Sequence, residues 1–171
     1  MVLFELIDAH TRRIYGLTAL VAALLLAFGM YLQHVVGLEP CPMCIVQRYV
    51  FVLVALLAAF AATRSSPRAW MGLGIFIFLI SGFGAFVAAR QSYLQWYPPE
   101  VLSCGRDLYG MIENFPLQRV IPMVFKGSGD CSLVDWTFLG GSIANWSFLC
   151  FCAIGGLALL LAVRQLRRTK T

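Results

Sequence analysis

Four cysteines are the residues of this chain whose types and spacing suit redox chemistry. Cys41 and Cys44 form a Cys-x-x-Cys motif between two long apolar stretches, and Arg48 follows Cys44 by four residues. Cys104 and Cys131 lie in the one long polar segment. Paired thiols can exchange a disulfide with another dithiol, because a thiolate of one pair attacks a sulfur of the other. Position alone leaves two interpretations open: two redox-active pairs, or two structural disulfides that staple loops.

The surroundings of Cys44 favour a reactive thiol. Pro40 disfavours a helix before it and Pro42 suits a first turn, so a helix is predicted to begin at or just after Cys41. Cys44 then lies in the first turn, where free N–H groups and the helix dipole favour a thiolate. Arg48 adds a positive charge on the same face. The alternative for this arginine is that it snorkels to lipid headgroups.

Other uses of the cysteines fit the sequence less well. Haem attachment requires a histidine directly after the second cysteine, where this chain has Ile45. A zinc site needs four ligands, and the separation of Cys104 from Cys131 is not that of a ligand pair. No metal site is therefore predicted. Cys150 and Cys152 are interpreted as small apolar residues, because positions i and i+2 point to different faces of a helix.

The composition indicates a membrane protein. Of the 171 residues, 60 % are hydrophobic and only 12 % are charged, more apolar surface than a soluble domain of this size can bury. The net charge of +5 is explained by basic residues beside apolar stretches, so no nucleic-acid partner is predicted. We predict an all-α, single-domain bundle of four transmembrane helices over residues 1–171. The expected spans cover about residues 14–36, 45–62, 70–89 and 142–163.

The basic residues set the expected orientation in the bilayer. Eight of the 13 lysines and arginines fall before the first span, between the second and third, or after the fourth, so these eight lie on one side of an even-numbered bundle. The positive-inside rule makes that side cytoplasmic, with both chain termini on it. The four loop cysteines then face the periplasm, where disulfides persist. The residues concerned are Arg12, Arg13, Arg64, Arg68, Arg164, Arg167, Arg168 and Lys170.

The two periplasmic loops differ in length. The first is short and carries the Cys-x-x-Cys motif, whereas the second runs from about residue 90 to residue 141. Within it, residues 111–125 are too apolar for a solvated loop and too interrupted by proline for a fifth span. An amphipathic segment on the membrane surface is expected there.

These features together closely resemble the DsbB family of bacterial inner-membrane disulfide bond formation proteins. The resemblance covers nearly the whole chain and includes the four spans. It is carried by Cys41-Pro42-Met43-Cys44-Ile45 with Arg48, Leu94-Gln95-Trp96-Tyr97-Pro98 before Cys104, Gly129-Asp130-Cys131, and Trp136-Thr137-Phe138-Leu139-Gly140.

The resemblance implies an electron path. Cys104 and Cys131 would oxidise a soluble periplasmic DsbA-type thiol oxidase, with Cys104 forming the mixed disulfide. Electrons would pass to Cys41 and Cys44, and a bridge between Cys41 and Cys131 is the expected intermediate. Cys44 would face a membrane quinone, with ubiquinone favoured over menaquinone, and Arg48 would stabilise the negative charge.

Two positions depart from the pattern of some family members. Gln47 stands where some carry an acidic residue, and Gln91 stands where some carry a histidine near the quinone. Gln91 is predicted to bind the quinone together with Cys44 and Arg48. Its amide can hydrogen-bond a quinone oxygen but cannot supply a proton.

Two other functions remain open. A vitamin K epoxide reductase-like enzyme is also a four-helix, quinone-linked thiol oxidoreductase, but the order of cysteine pairs here fits the DsbB family better. A non-catalytic tetraspanin-like scaffold would use its disulfides structurally. A disulfide within Cys-x-x-Cys closes too small a loop to stabilise much by chain entropy, which disfavours the scaffold.

Overall fold

A computed structural model describes residues 10–98, 131–132 and 134–169. Within these residues the chain forms four long helices and one short β-hairpin. The elements are α1 (Thr11–His34), α2 (Pro42–Thr63), α3 (Pro67–Trp96), β1 (Thr137–Phe138), β2 (Gly141–Ser142) and α4 (Ile143–Arg168).

All four helices are long and apolar enough to cross a membrane, with mean hydropathies of 2.0 to 2.3. Large apolar side chains also cover their outer surfaces: Leu24, Leu56, Phe86 and Leu149 are each more than half exposed. A surface of this kind is stable against lipid and not against water. The predicted four-helix membrane bundle is therefore confirmed, and the chain is a multi-pass membrane protein.

The helix bounds differ from the predicted spans at several ends. The helix α3 continues through the polar residues 90–95 to Trp96, seven residues beyond the expected end at residue 89. Hydropathy marks the lipid-covered part of a helix, whereas the backbone hydrogen bonds continue past it. The start of α2 at Pro42 agrees with the prediction. Cys41 caps this helix, because its sulfur accepts the N–H of Cys44 at 3.3 Å.

The core of the bundle depends on close approach between helices. The rings of Phe51 on α2 and Phe151 on α4 stack with centroids 4.1 Å apart. Gly84 on α3 lies directly beside this stack: a Cβ there would be 2.8 Å from Phe151 and from Val50. Only a residue without a side chain allows this contact, so the glycine determines how closely α3 approaches its neighbours.

The two ends of the bundle have different chemistry. At one end, the thiol end, α1 finishes, α2 begins and Cys131 lies close by. At the other, the basic end, α1 begins near the turn between α2 and α3. Arg12 Nε donates to Ala62 O at 2.7 Å there, and the Tyr15 hydroxyl donates to Trp70 O at 3.0 Å. These bonds join the first three helices at the basic end.

The β-hairpin at residues 137–142 is a difference from the predicted all-α class. Thr137 pairs with Ser142, and Phe138 pairs with Gly141. The turn residues Leu139 and Gly140 have φ of +50° and +79°, the left-handed conformation that a two-residue hairpin turn requires. The predicted amphipathic segment at 111–125 and Cys104 lie outside the described residues.

Candidate thiol site and its cavity

Three of the four predicted redox cysteines meet at the thiol end. Cys41 Sγ lies 2.8 Å from Cys44 Sγ, as the first turn of α2 dictates for residues three apart. The Cys131 thiol contacts Cys41 and packs in the same small apolar cluster, together with Met43 and Leu94. Cys41 and Cys131 are both buried. One cysteine of the second pair is thus within reach of the first pair.

The three sulfurs are not equivalent. Hydrogen bonds with the thiols of Cys131 and Cys44, followed by burial, raise the pKa of the Cys41 thiol well above its usual range. Cys41 and Cys44 both line a cavity between the helices, but Cys41 is buried there whereas Cys44 is only half-buried. This difference makes Cys44 the sulfur of the motif that an apolar reactant can approach.

A pair of buried glutamines connects α2 and α3 beside the sulfurs. Gln91 Nε2 donates to Cys44 Sγ at 3.2 Å and to Cys41 Sγ at 3.3 Å. Gln91 Oε1 accepts a hydrogen bond of 2.7 Å from Gln47 Nε2. Both glutamines are at least 95 % buried. The site therefore places an amide donor directly against both sulfurs of the motif.

The Arg48 guanidinium lies against the last turns of α1. Its Nη2 donates to Gly29 O at 3.0 Å, while its Nη1 donates to Gln33 Oε1 and lies 3.9 Å from Met30 Sδ. Arg48 is half-buried and lines the same cavity as Cys44. It thus introduces a positive charge into the cavity wall, although its described hydrogen bonds are to α1 and not to a cysteine sulfur. Its predicted role in stabilising a thiolate stays a prediction.

The cavity beside Cys44 has a volume of about 600 Å³. Its walls are mainly apolar and aromatic, and its polar groups are concentrated near the sulfurs. The apolar walls come from Leu25, Leu26, Phe28, Leu32, Phe51, Trp136, Phe138, Ile143 and Trp146. The polar and charged groups are Gln33, Glu39, Gln47, Arg48, Gln91, Gln95, Asp135, Ser142 and Ser147.

Residues 134–142 form one wall of this cavity. The Trp136 ring meets the Phe28 ring of α1 edge-on, with centroids 5.8 Å apart. Trp146 Nε1 of α4 donates to Phe138 O at 2.9 Å. Because this segment begins just after Cys131, these contacts help to hold the cysteine against the thiol end. The segment coincides with the Trp-Thr-Phe-Leu-Gly motif on which the family resemblance partly rests.

The N-terminus of α4 is fastened to α3 beside the cavity. Ser142 caps α4 by accepting the N–H of Asn145 at 3.4 Å. The same hydroxyl donates to Gln95 Oε1 at 2.6 Å. This interaction closes the cavity where α3 and α4 meet.

The structure brings together Cys41, Cys44, Cys131, Arg48 and Gln91 among the predicted site residues. Cys104 lies outside the described residues. Cys150 faces the cavity and Cys152 is exposed on the outer surface, so they do point to different faces of α4. Three further glutamines line the cavity but are not among the predicted site residues: Gln33, Gln47 and Gln95. For Gln47 a signal exists, since a polar side chain within an apolar span is uncommon.

Comparison with known proteins gives one consistent family. Residues 11–161 match the family described as "Disulfide bond formation protein DsbB". A protein of Polaromonas naphthalenivorans named "Disulfide bond formation protein B" is 67 % identical over 96 % of this chain and 98 % of its own. Proteins of the same name from Polaromonas sp. (strain JS666) and Aromatoleum aromaticum are 65 % and 49 % identical. The first alignment covers 94 % of this chain and 96 % of the relative, and the second covers 91 % and 94 %.

Proposed function

Because the chain belongs to the DsbB family of disulfide bond formation proteins, we propose that it is a quinone-dependent thiol oxidoreductase. Its substrate is a soluble DsbA-type thiol oxidase of the periplasm, which it returns to the disulfide form. The observation that carries this proposal is the contact of Cys131 with Cys41, beside a cavity that Cys44 faces. The contact connects the two cysteine pairs, and the cavity gives an apolar electron acceptor room to bind beside the Cys-x-x-Cys motif.

The first step is exchange with the soluble partner. A partner thiolate attacks Cys104 of a Cys104–Cys131 disulfide, and Cys131 leaves as a thiolate. The partner's second thiolate then attacks the mixed disulfide and releases Cys104. The partner loses two electrons, which the pair Cys104 and Cys131 gains. The assignment of Cys104 rests on the family resemblance.

The second step transfers these electrons to the Cys-x-x-Cys motif. The Cys131 thiolate attacks Cys41 of a Cys41–Cys44 disulfide, so that the bond between those two sulfurs breaks and Cys44 leaves as a thiolate. The contact between Cys131 and Cys41 supports attack at this sulfur rather than at Cys44. Cys104 then attacks the Cys41–Cys131 bridge, which restores the second disulfide and releases Cys41 as a thiol.

The residues around Cys44 fit a quinone. A flat ring with an apolar tail suits a cavity of about 600 Å³ whose walls are aromatic and aliphatic, and whose donors cluster at one end. When bound, the quinone accepts two electrons and two protons from the dithiol. Gln91 holds the reacting sulfur by its hydrogen bond, and Arg48 supplies positive charge in the wall. Phe28 and Trp136 exclude water on the side of α1.

The proposed location is the bacterial inner membrane, with both termini in the cytoplasm. Arginines at the start of α1, around the turn after α2 and at the end of α4 share the basic end of the bundle. The positive-inside rule supports a cytoplasmic basic end. The thiol end then faces the periplasm, where a soluble oxidase can reach it.

The test is quinone consumption by the purified full-length protein in detergent, with a reduced DsbA-type partner and either ubiquinone or menaquinone. Cys44→Ser should abolish quinone reduction while leaving the helical content unchanged. Cys152→Ala serves as the matched control, because Cys152 is exposed on the outer surface of α4. If the unaltered protein consumes no quinone while both cysteine pairs stay oxidised, the proposal is wrong and a structural role for the disulfides is favoured.

A further inference from the structure

We propose that Gln47 is a positioning residue that holds the Gln91 amide with its nitrogen toward the sulfurs, so that a neutral donor stabilises the Cys44 thiolate. This inference rests on the proposed function, since the reactivity of Cys44 matters only if this sulfur carries electrons. Gln47 makes no described hydrogen bond to either sulfur, so the role assigned to it acts through Gln91. The same proposal assigns Gln91 to the sulfurs rather than to the quinone.

The orientation of the Gln91 amide decides its effect. A thiolate is an acceptor only, so the amide nitrogen stabilises it and the amide oxygen repels it. With Nε2 toward Cys44 and Cys41, Oε1 must find a donor elsewhere, because Gln91 is 97 % buried. Gln47 Nε2 is that donor, at 2.7 Å. Without it, the buried oxygen loses its partner and the amide is free to turn round.

The charged side chains near the sulfurs make their described contacts elsewhere, so none of these contacts takes the place of the Gln91 hydrogen bond to Cys44. Arg48 of α2 is hydrogen-bonded to Gly29 O and Gln33 Oε1 of α1. On α3, Arg90 lies over the Tyr93 ring, 5.5 Å from its centroid. Within the part of the chain that the structure describes, the other titratable groups that line the cavity or touch the sulfurs are Glu39, Cys41, Cys131, Asp135 and Cys150. Two of these are carboxyl groups, which would oppose a thiolate.

The experiment measures the alkylation rate of Cys44 by iodoacetamide in the fully reduced, full-length protein, followed for each cysteine by mass spectrometry. Neither quinone nor partner is present. Gln47→Leu and Gln91→Leu should each slow alkylation of Cys44 about tenfold at pH 7, as expected for a lost hydrogen bond to a charged group. Gln165→Leu is the matched control, since Gln165 is a fully buried glutamine that approaches Thr11 near the basic end.

Gln47→Glu separates positioning from a structural role, because it keeps the shape of the side chain. A protonated carboxyl can donate to Gln91 Oε1, whereas an ionised one can only accept and therefore turns the amide round. The alkylation rate of Gln47→Glu relative to the unaltered protein should thus fall as the pH rises. A purely structural effect would give a ratio independent of pH. Because the Glu carboxylate also disfavours a nearby thiolate by direct repulsion, the uncharged Gln47→Leu variant isolates the effect of the lost hydrogen bond.

Two results would overturn the inference. One is a Gln47→Leu protein whose Cys44 reacts as fast as in the unaltered chain while Gln91→Leu is slow. The other is a ratio for Gln47→Glu that does not change with pH. Because the assay contains no quinone, either result can be told apart from a failure of the proposed function, which would appear as absent quinone consumption in the unaltered protein.

Discussion

The Cys131 thiol contacts the Cys41 thiol, although the whole of α2 and α3 separates them in the chain. The contact is buried and lies next to the Cys44 sulfur. It brings one member of the loop pair against Cys41, the first cysteine of the Cys-x-x-Cys motif. The disulfide exchange in the proposed function would therefore require little rearrangement at Cys131.

A bridge between Cys41 and Cys131 should form readily when their other partners are removed. In a chain carrying Cys44→Ala and Cys104→Ala, mild oxidation is expected to give this disulfide, because the two sulfurs are already in contact. Mass spectrometry of the non-reduced peptides measures its yield. The matched chain carries Cys41→Ala and Cys104→Ala and should form a Cys44–Cys131 bridge more slowly. Equal rates in the two chains would contradict the observed placement of Cys131.

Trp136 should help to keep Cys131 in contact with Cys41. Trp136→Ala removes the edge-on contact with Phe28 of α1, a contact of a kind worth about 0.5–1.5 kcal/mol. The Cys41–Cys131 bridge in the chain just described is then expected to form about two- to tenfold more slowly. Leu139→Ala is the control within the same segment, since Leu139 is 82 % exposed at the hairpin tip. Unchanged bridge formation in the Trp136 variant would mean that other contacts position Cys131.

Arg48 should affect the binding of the acceptor. Arg48→Ala removes a positive charge from the cavity wall and the hydrogen bonds to Gly29 O and Gln33 Oε1. The apparent KM for quinone is expected to rise about tenfold. The KM of Arg48→Lys should lie between those of the unaltered protein and Arg48→Ala, because lysine keeps the charge but lacks the planar fork of the guanidinium. Arg64→Ala at the basic end, where the arginine lies over the Phe60 ring, should leave KM unchanged. An unaltered KM in Arg48→Ala would favour an arginine that only anchors the helix.

Gly84 should be needed for stability rather than for chemistry. Gly84→Ala places a Cβ 2.8 Å from Phe151 and Val50, and overpacking of this kind costs about 1–3 kcal/mol. We expect a lower Tm in detergent, measured by circular dichroism. Gly82→Ala is the matched control on the same helix, because a Cβ there meets nothing within 4 Å. A Tm equal to that of the unaltered protein would show that α3 can move away from α2 and α4.

The amino-acid sequence alone determined the membrane architecture of this protein and placed a helix start at its Cys-x-x-Cys motif. Four long apolar stretches can satisfy their backbone hydrogen bonds in lipid only as helices, so the bundle is predictable without coordinates. The two prolines around Cys41 likewise predict the start of α2, and the structure begins that helix at Pro42. These features are local, and each follows from residues that are near one another in the chain.

The tertiary structure decided which distant residues meet. The contact of Cys131 with Cys41, the hydrogen bond between Gln47 and Gln91, and the bonds of Arg48 to α1 join residues from different elements. Helical periodicity places a side chain on a face but does not say which face of another helix it will meet. That depends on how closely the helices approach, which small residues such as Gly84 set. The candidate site residues could thus be predicted from the sequence and its family resemblance, but the hydrogen bonds of Gln47, Gln91 and Arg48 could not.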